Sequence, residues 1–239
     1  MEHATISSIL LASASPRRYE ALSALGLGVT VIPADVDETV YDDLPVDQRV
    51  AKLARLKVTT ALLRLSSNAA GKKADDATDI RLADDCRIGT GYLLPPGLPR
   101  VALGADTLVD LDGQCMGKPV DAADARRMIS ALAGHTHEVQ SGMCLVDSAT
   151  GRYPTAVSRT LVRFSAMTTG EIEAYIGTGE WEGAAGAYRI QQHAGLFVEH
   201  IEGSFSGIVG LPLHTFYAIL SKLGFVCPFG HQSGSTAFF

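Results

Sequence analysis

Leu10-Leu11-Ala12-Ser13-Ala14-Ser15-Pro16-Arg17-Arg18 is the stretch that sets the fold's first turn: an apolar run, then serines, a proline and two arginines. It reads as a buried strand over 7–12 followed by a helix over 16–25. Ser15 is a favourable N-cap, Pro16 suits the first helical position, and Gly26 stops the helix. A helix starting there aims its free N–H groups and the positive end of its dipole back at the serines. Arg17 and Arg18 add guanidinium groups, each able to grip a phosphate with paired hydrogen bonds. The junction reads as an anion site suited to a polyphosphate, or as a capped surface helix carrying solvated arginines.

Outward from this junction, strands and helices alternate. A second strand spans 29–33 and leads into the acidic loop Asp35-Val36-Asp37-Glu38. Over 46–65, Val50, Ala54, Val58, Ala61 and Leu65 recur with helical period, and Lys52 and Lys57 lie off that stripe. Residues 66–100 break the pattern and read as an insertion or surface excursion. A strand over 101–105 ends in Asp106-Thr107, and Asp110-Leu111-Asp112-Gly113 has turn character. Asp121 caps a helix that Gly134 ends; strands over 135–146 and 152–164 form a hairpin. Thr168 and Glu171 make a capping box, and Glu202-Gly203 signals a second hairpin between 196–201 and 204–209. The last main helix spans 211–223, and 228–239 is a loop-like tail. This order predicts a single α/β domain: a mixed, twisted β-sheet flanked by helices. No G-x-G-x-x-G follows the first strand, which weakens a strict dinucleotide-binding reading.

Composition narrows the function. The chain has 239 residues, 46% of them hydrophobic and 19% charged, enough for a sizeable core. A formal net charge of −6 disfavours non-specific nucleic-acid binding, yet permits a small phosphorylated ligand held by a local basic cluster. Cys86, Cys115, Cys144 and Cys227 form no C-x-x-C pair, and no His completes a zinc pattern. The start, Met1-Glu2-His3-Ala4, lacks the features of a signal peptide, and no apolar run is long enough to cross a bilayer. The expectation is a soluble cytoplasmic protein with neither a nucleic-acid nor a membrane partner.

Three further segments carry chemistry. Leu103-Gly104-Ala105-Asp106-Thr107 places a carboxylate at the end of an apolar strand, where burial is costly unless it binds something and where α/β folds bind ligands. Asp106 is thus a candidate magnesium ligand or general base; otherwise it simply opens a turn. Met116-Gly117-Lys118-Pro119 holds a lysine on a restrained loop, a point charge for a phosphate or a plain surface lysine. Gly183-Ala184-Ala185-Gly186-Ala187-Tyr188-Arg189-Ile190-Gln191 combines glycines that allow close approach, a tyrosine, and a glutamine able to bond a base edge or a phosphate. It also reads as a tight connection between elements.

In order and spacing, these segments together with Val209-Gly210-Leu211-Pro212-Leu213 resemble the Maf family of nucleoside triphosphate pyrophosphatases. The resemblance implies a ligand cleft between two lobes, and cleavage between the α and β phosphates to give a monophosphate and pyrophosphate. It implies a divalent metal, usually Mg2+, held by Glu38 and Asp106, and it makes a homodimer plausible. Carried over by position, it gives phosphate-binding roles to Ser13, Arg17 and Arg18, with Lys57 on the next helix. It makes Asp106 the catalytic aspartate, acting with Glu38 and Lys118. The Gly-Ala-Tyr-x-Ile-Gln form looks like the branch that prefers dTTP and UTP, with Thr107 and Gln191 near the base. Two positions depart from the family pattern. Ala184 stands where lysine is common, so a positive charge on the triphosphate side is either missing or supplied by Arg189 or the insertion. Gln192 replaces a common glycine, which bears on backbone packing at that turn.

The expected chemistry follows. Arg17, Arg18, Lys57 and Lys118 compensate the phosphates, and Asp106 positions or deprotonates the attacking water. A regulatory nucleotide-binding protein without turnover would use the same arginines and glycines, and an orthophosphate-releasing phosphatase is a third reading. The carboxylates favour the enzyme, since they hinder binding of a polyanion unless a metal intervenes, and the enzyme reading requires the basic amino-terminal junction and the mid-chain carboxylates to meet in one hollow around a metal-bound triphosphate.

Overall fold

A computed structural model describes residues 3–69 and 94–228. In chain order the strands and helices are β1 (Ala4–Thr5), β2 (Ser8–Leu11), α1 (Pro16–Ala24), β3 (Gly28–Val31), α2 (Val46–Ala69), β4 (Val101–Leu111), β5 (Gln114–Met116), α3 (Ala122–Leu132), β6 (Thr136–Asp147), β7 (Thr155–Phe164), α4 (Thr169–Gly177), β8 (Val198–Glu202), α5 (Phe205–Val209), α6 (Leu213–Lys222) and β9 (Phe225–Val226). The main sheet runs β3-β2-β4-β6-β7-β8, with β5 paired to β4. β3, β2 and β4 are parallel, whereas β4, β6, β7 and β8 pair antiparallel. The sheet is therefore mixed, with helices on its faces. A separate parallel pair, β1 with β9, ties the two ends of the described chain together.

Strand alternation decides which helix each residue meets. On β2 and β4, Ile9, Leu11, Leu103 and Ala105 join Leu22, Phe216, Ile219 and Leu220 in one core. Their neighbours Leu10, Ala12 and Ala102 join Ala54, Val58, Ala61 and Leu62 of α2 on the opposite face. A second lobe is built on Met128, Ile129, Leu132, Phe164, Tyr175 and Tyr188. Of the expected α2 stripe, Val50, Ala54, Val58 and Ala61 are fully buried, and Leu65 packs at its margin.

α2 lies on the sheet with its backbone almost touching the strands. A Cβ on Gly104 would sit 2.1 Å from the Ala54 carbonyl oxygen, and one on Gly142 would sit 2.3 Å from that of Val50. Neither approach tolerates a side chain.

Several local readings change. β4 does not end at Asp106 but continues to Leu111; its parallel partner β2 ends instead, with Leu11 opposite Leu103. Asp106 thus lies mid-strand, yet past the carboxyl end of the neighbouring strand, where a crevice opens. The expected hairpin around Glu202-Gly203 is absent. β8 pairs with β7, and 205–209 is a short helix because the Ser204 side chain accepts the Gly207 N–H. The helix from Val46 continues to Ala69, past the expected end at 65. The Asp112-Gly113 turn closes β4 onto β5, with both φ values positive. Most of the 66–100 segment and nearly all of the tail lie outside the described residues, as does Cys86. Cys115, Cys144 and Cys227 are free thiols. No helix among the described residues is long and apolar enough to cross a membrane.

Candidate active site

A cleft of about 810 Å³ opens at the carboxyl end of β2, large enough for a small-molecule ligand. Ser13, Arg17, Arg18, Glu38, Lys57, Asp106, Thr107, Lys118 and Gln191 all line it. Every site residue expected from sequence therefore meets in one hollow.

The centre is a charge trio. Lys57 Nζ stands 2.6 Å from Asp106 Oδ1 and 2.7 Å from Glu38 Oε1. Lys57 lies beside the apolar stripe of α2, not out in solvent, and is only 7% exposed. Asp106 faces it because even-numbered residues of β4 point at α2. Glu38 opens a one-turn 3₁₀ helix, Glu38–Tyr41, whose Thr39 N–H donates to Asp37 Oδ1 at 2.9 Å. Lys52 Nζ over the Tyr41 ring, 5.4 Å from its centroid, ties this turn to α2. Burial pushes the Glu38 carboxyl up, but Lys57, Lys118 and Arg18 outweigh it and hold it below the usual carboxylate range. Lys118 is exposed, 4.0 Å from Glu38 Oε1.

The second wall is set by Arg18, which is buried and heavily committed. Its Nε donates to the Gly210 carbonyl at 2.9 Å, Nη1 to Ser13 Oγ at 3.0 Å and Nη2 to Thr107 Oγ1 at 3.1 Å. Ser141 Oγ donates to the Gly207 carbonyl at 2.8 Å, so the 2.8 Å contact between Thr107 and Ser141 has Thr107 as donor. The chain Arg18 to Thr107 to Ser141 to Gly207 is thus polarised in one direction. The fork that could embrace a phosphate is already engaged with protein acceptors. Arg18 shapes the wall, and only its remaining N–H groups are left for a ligand.

Ser15 occupies the N-cap position of α1, but its side chain caps nothing; its own N–H donates to Ser13 Oγ at 3.2 Å. The expected Ser15 cap is therefore corrected: Ser13 organises the turn, and the amino end of α1 is left open toward the cleft. Arg17 follows on the cleft side, and its buried Nε has no acceptor among the described residues. Burial first, then Arg189, lowers the Arg17 pKa, and Glu20 opposes both.

The segment 183–192 forms the remaining wall. Gln191 and Gln192 are exposed and line the cleft. Gln192 has φ −123°, backbone that any residue adopts, so this turn does not require glycine. Ala184 is buried. Tyr188 lines the cleft and hydrogen-bonds through its hydroxyl to His137 Nε2 at 2.9 Å. Sequence reading missed Ser141, His137 and the Gly210 carbonyl. Gly210 lay inside a quoted motif, but a carbonyl acceptor leaves no side-chain signal.

No group of three or more His, Cys, Asp or Glu among the described residues forms a metal site. The donor set nonetheless fits a divalent cation that arrives with phosphate oxygens, since Mg2+ is commonly held by one or two carboxylates plus substrate. The observation that supports the fit is Asp106 Oδ2, a buried acceptor with no donor.

A family described as Maf-like protein matches residues 8–223. A dTTP/UTP pyrophosphatase of Chromobacterium violaceum is 41% identical over 221 residues, covering 92% of this chain and 96% of that protein. Proteins of the same name from Anaeromyxobacter dehalogenans and Moorella thermoacetica are 40% and 39% identical, with the same coverage of both chains.

Proposed function

This chain belongs to the Maf family, and we propose that it is a nucleoside triphosphate pyrophosphatase that cleaves dTTP and UTP to the monophosphate and pyrophosphate. The observation that carries the reading is a single cleft holding basic residues from α1 and α2, the Asp106–Lys57–Glu38 trio, and Gln191. It is supported by relatives named dTTP/UTP pyrophosphatase along nearly their whole length.

In this reading the triphosphate lies across the trio. Asp106 positions or deprotonates the water that attacks the α-phosphorus. The bond from that phosphorus to the bridging oxygen breaks, and pyrophosphate leaves. Lys57 fixes the carboxylate through Oδ1 and balances its charge. Arg17, Lys118 and the open end of α1 compensate the phosphates, while Arg18 and Ser13 keep the wall in shape. Glu38 and Asp106 are the side chains that would hold a Mg2+ ion, which when bound supplies charge neutralisation and polarises phosphoryl oxygens. Gln191 offers an amide to the base edge, since its side chain is exposed in the cleft; Thr107 acts through Arg18.

The test is product analysis of the purified protein with each common nucleoside triphosphate and Mg2+. Pyrophosphate with the monophosphate, fastest for dTTP and UTP, is expected. Orthophosphate release, or tight nucleotide binding without turnover, would overturn the reading.

A further inference from the structure

Arg189, in the segment 183–192, lines the same cleft as Arg17. The two are close enough that Arg189 lowers the Arg17 pKa. Each has a buried Nε–H without an acceptor among the described residues. Arg189 is held from behind, its Nη2 donating to the Glu182 carbonyl at 2.6 Å. Glu20 and Glu182 also line the cleft, and Glu20 offsets part of the repulsion at Arg17. Two like charges that press on each other while leaving buried donors unmet are costly unless an anion joins them.

We propose that Arg189 and Arg17 clamp the terminal phosphates of the nucleotide, the part that departs as pyrophosphate. The proposal rests on the activity proposed above. The trio of Asp106, Lys57 and Glu38 is the place of the α-phosphate, so this second cationic position falls to the phosphates beyond it. Arginine suits the task because its planar fork meets two phosphate oxygens at once.

Calorimetric titration with inorganic pyrophosphate, in buffer containing a chelator, tests the clamp apart from turnover. R189A is expected to weaken pyrophosphate binding about tenfold or more, as loss of a charge-assisted hydrogen bond does. Its affinity for dTMP should change less than twofold, and KM for dTTP should rise with little change in kcat. R189Q, which keeps most of the side chain, should repeat the loss, and R189K should recover part of it. Unchanged pyrophosphate binding in R189A and R189Q, or an equal loss for dTMP, would overturn the clamp. If the wild-type protein binds pyrophosphate through Arg189 but releases none from dTTP, the clamp stands and the proposed activity fails.

Discussion

Lys57 Nζ and Asp106 Oδ1 meet at 2.6 Å across 49 residues of chain, both side chains nearly sealed from water. Such a pair is held in place by its surroundings more than it stabilises them, because desolvation offsets much of the attraction. Its value here is positional: it points one carboxylate oxygen at the lysine and leaves the other, buried at the edge of the cleft, without a donor.

Removing one partner should therefore separate chemistry from stability. Asp106→Asn keeps the shape and removes the proton acceptor, so turnover should fall by about 10²–10⁴ while nucleotide still binds. Lys57→Met leaves a buried carboxylate unpaired and should cost about 3–5 kcal/mol. Combining it with Asp106→Asn should recover part of that loss. Chemical denaturation and steady-state kinetics on the three variants check both halves. Wild-type turnover in D106N would remove Asp106 from the reaction.

The meeting depends on how closely α2 lies on the sheet. Gly104→Ala or Gly142→Ala would place a methyl within 2.1 Å or 2.3 Å of an α2 carbonyl oxygen. Either the helix lifts or the strands part, at a cost of about 1–3 kcal/mol or more. The shift carries Lys57 away from Asp106, so activity should fall further than the folded fraction does. Comparing the denaturation midpoint with activity per folded molecule separates the two effects.

The same glycines show where sequence reading stops. Residues 101–105 read as apolar strand, but nothing local says that Gly104 is a seat for a helix some fifty residues upstream. Periodicity put Lys57 outside the stripe because its partner comes from another element. Burial of a lysine is decided by tertiary pairing, which no window of sequence contains. The α1 junction was legible because capping and anion binding are local properties of serine, proline and arginine. The 204–209 segment was misread for the complementary reason: its apolar residues suit a strand, whereas the structure shows a short helix capped by the Ser204 side chain and closed by Gly210 at positive φ. Arg18 was legible as a cation near the ligand, but its commitment to Gly210, Ser13 and Thr107 was not.

That commitment makes Arg18 a poor site for lysine. A lysine keeps the charge but cannot reach three acceptors in different directions from one planar group. Arg18→Lys should lower stability by about 1–3 kcal/mol through unmet acceptors in the wall. It should also raise KM for the nucleotide, as the Thr107–Ser141 chain loses its donor. Thr107→Val breaks the same chain one step later and should show a weaker form of both effects. Denaturation together with a KM and kcat comparison tests this ordering; a silent R18K variant would mean that the wall is held by other contacts.

The buried His137 sets the pH behaviour of the cleft's far wall. Its Nε2 bonds the Tyr188 hydroxyl, its ring lies edge-on to Phe164 with centroids 5.1 Å apart, and its Nδ1 is buried without a partner. Burial lowers its pKa from 6.5 to about 4. The unfolded chain therefore binds a proton at this residue between those values while the folded chain does not. Stability contributed by the neutral ring is complete above about pH 6.5. It is lost progressively as pH falls toward 4, by at most about 3 kcal/mol. Because Tyr188 lines the cleft, nucleotide affinity should weaken over the same interval. His137→Gln, which keeps a hydrogen bond to Tyr188 but does not titrate, should start less stable and show a shallower loss. Denaturation midpoints measured from pH 7.5 to 4 for both proteins decide the matter, and parallel slopes would place the acid sensitivity elsewhere in the molecule.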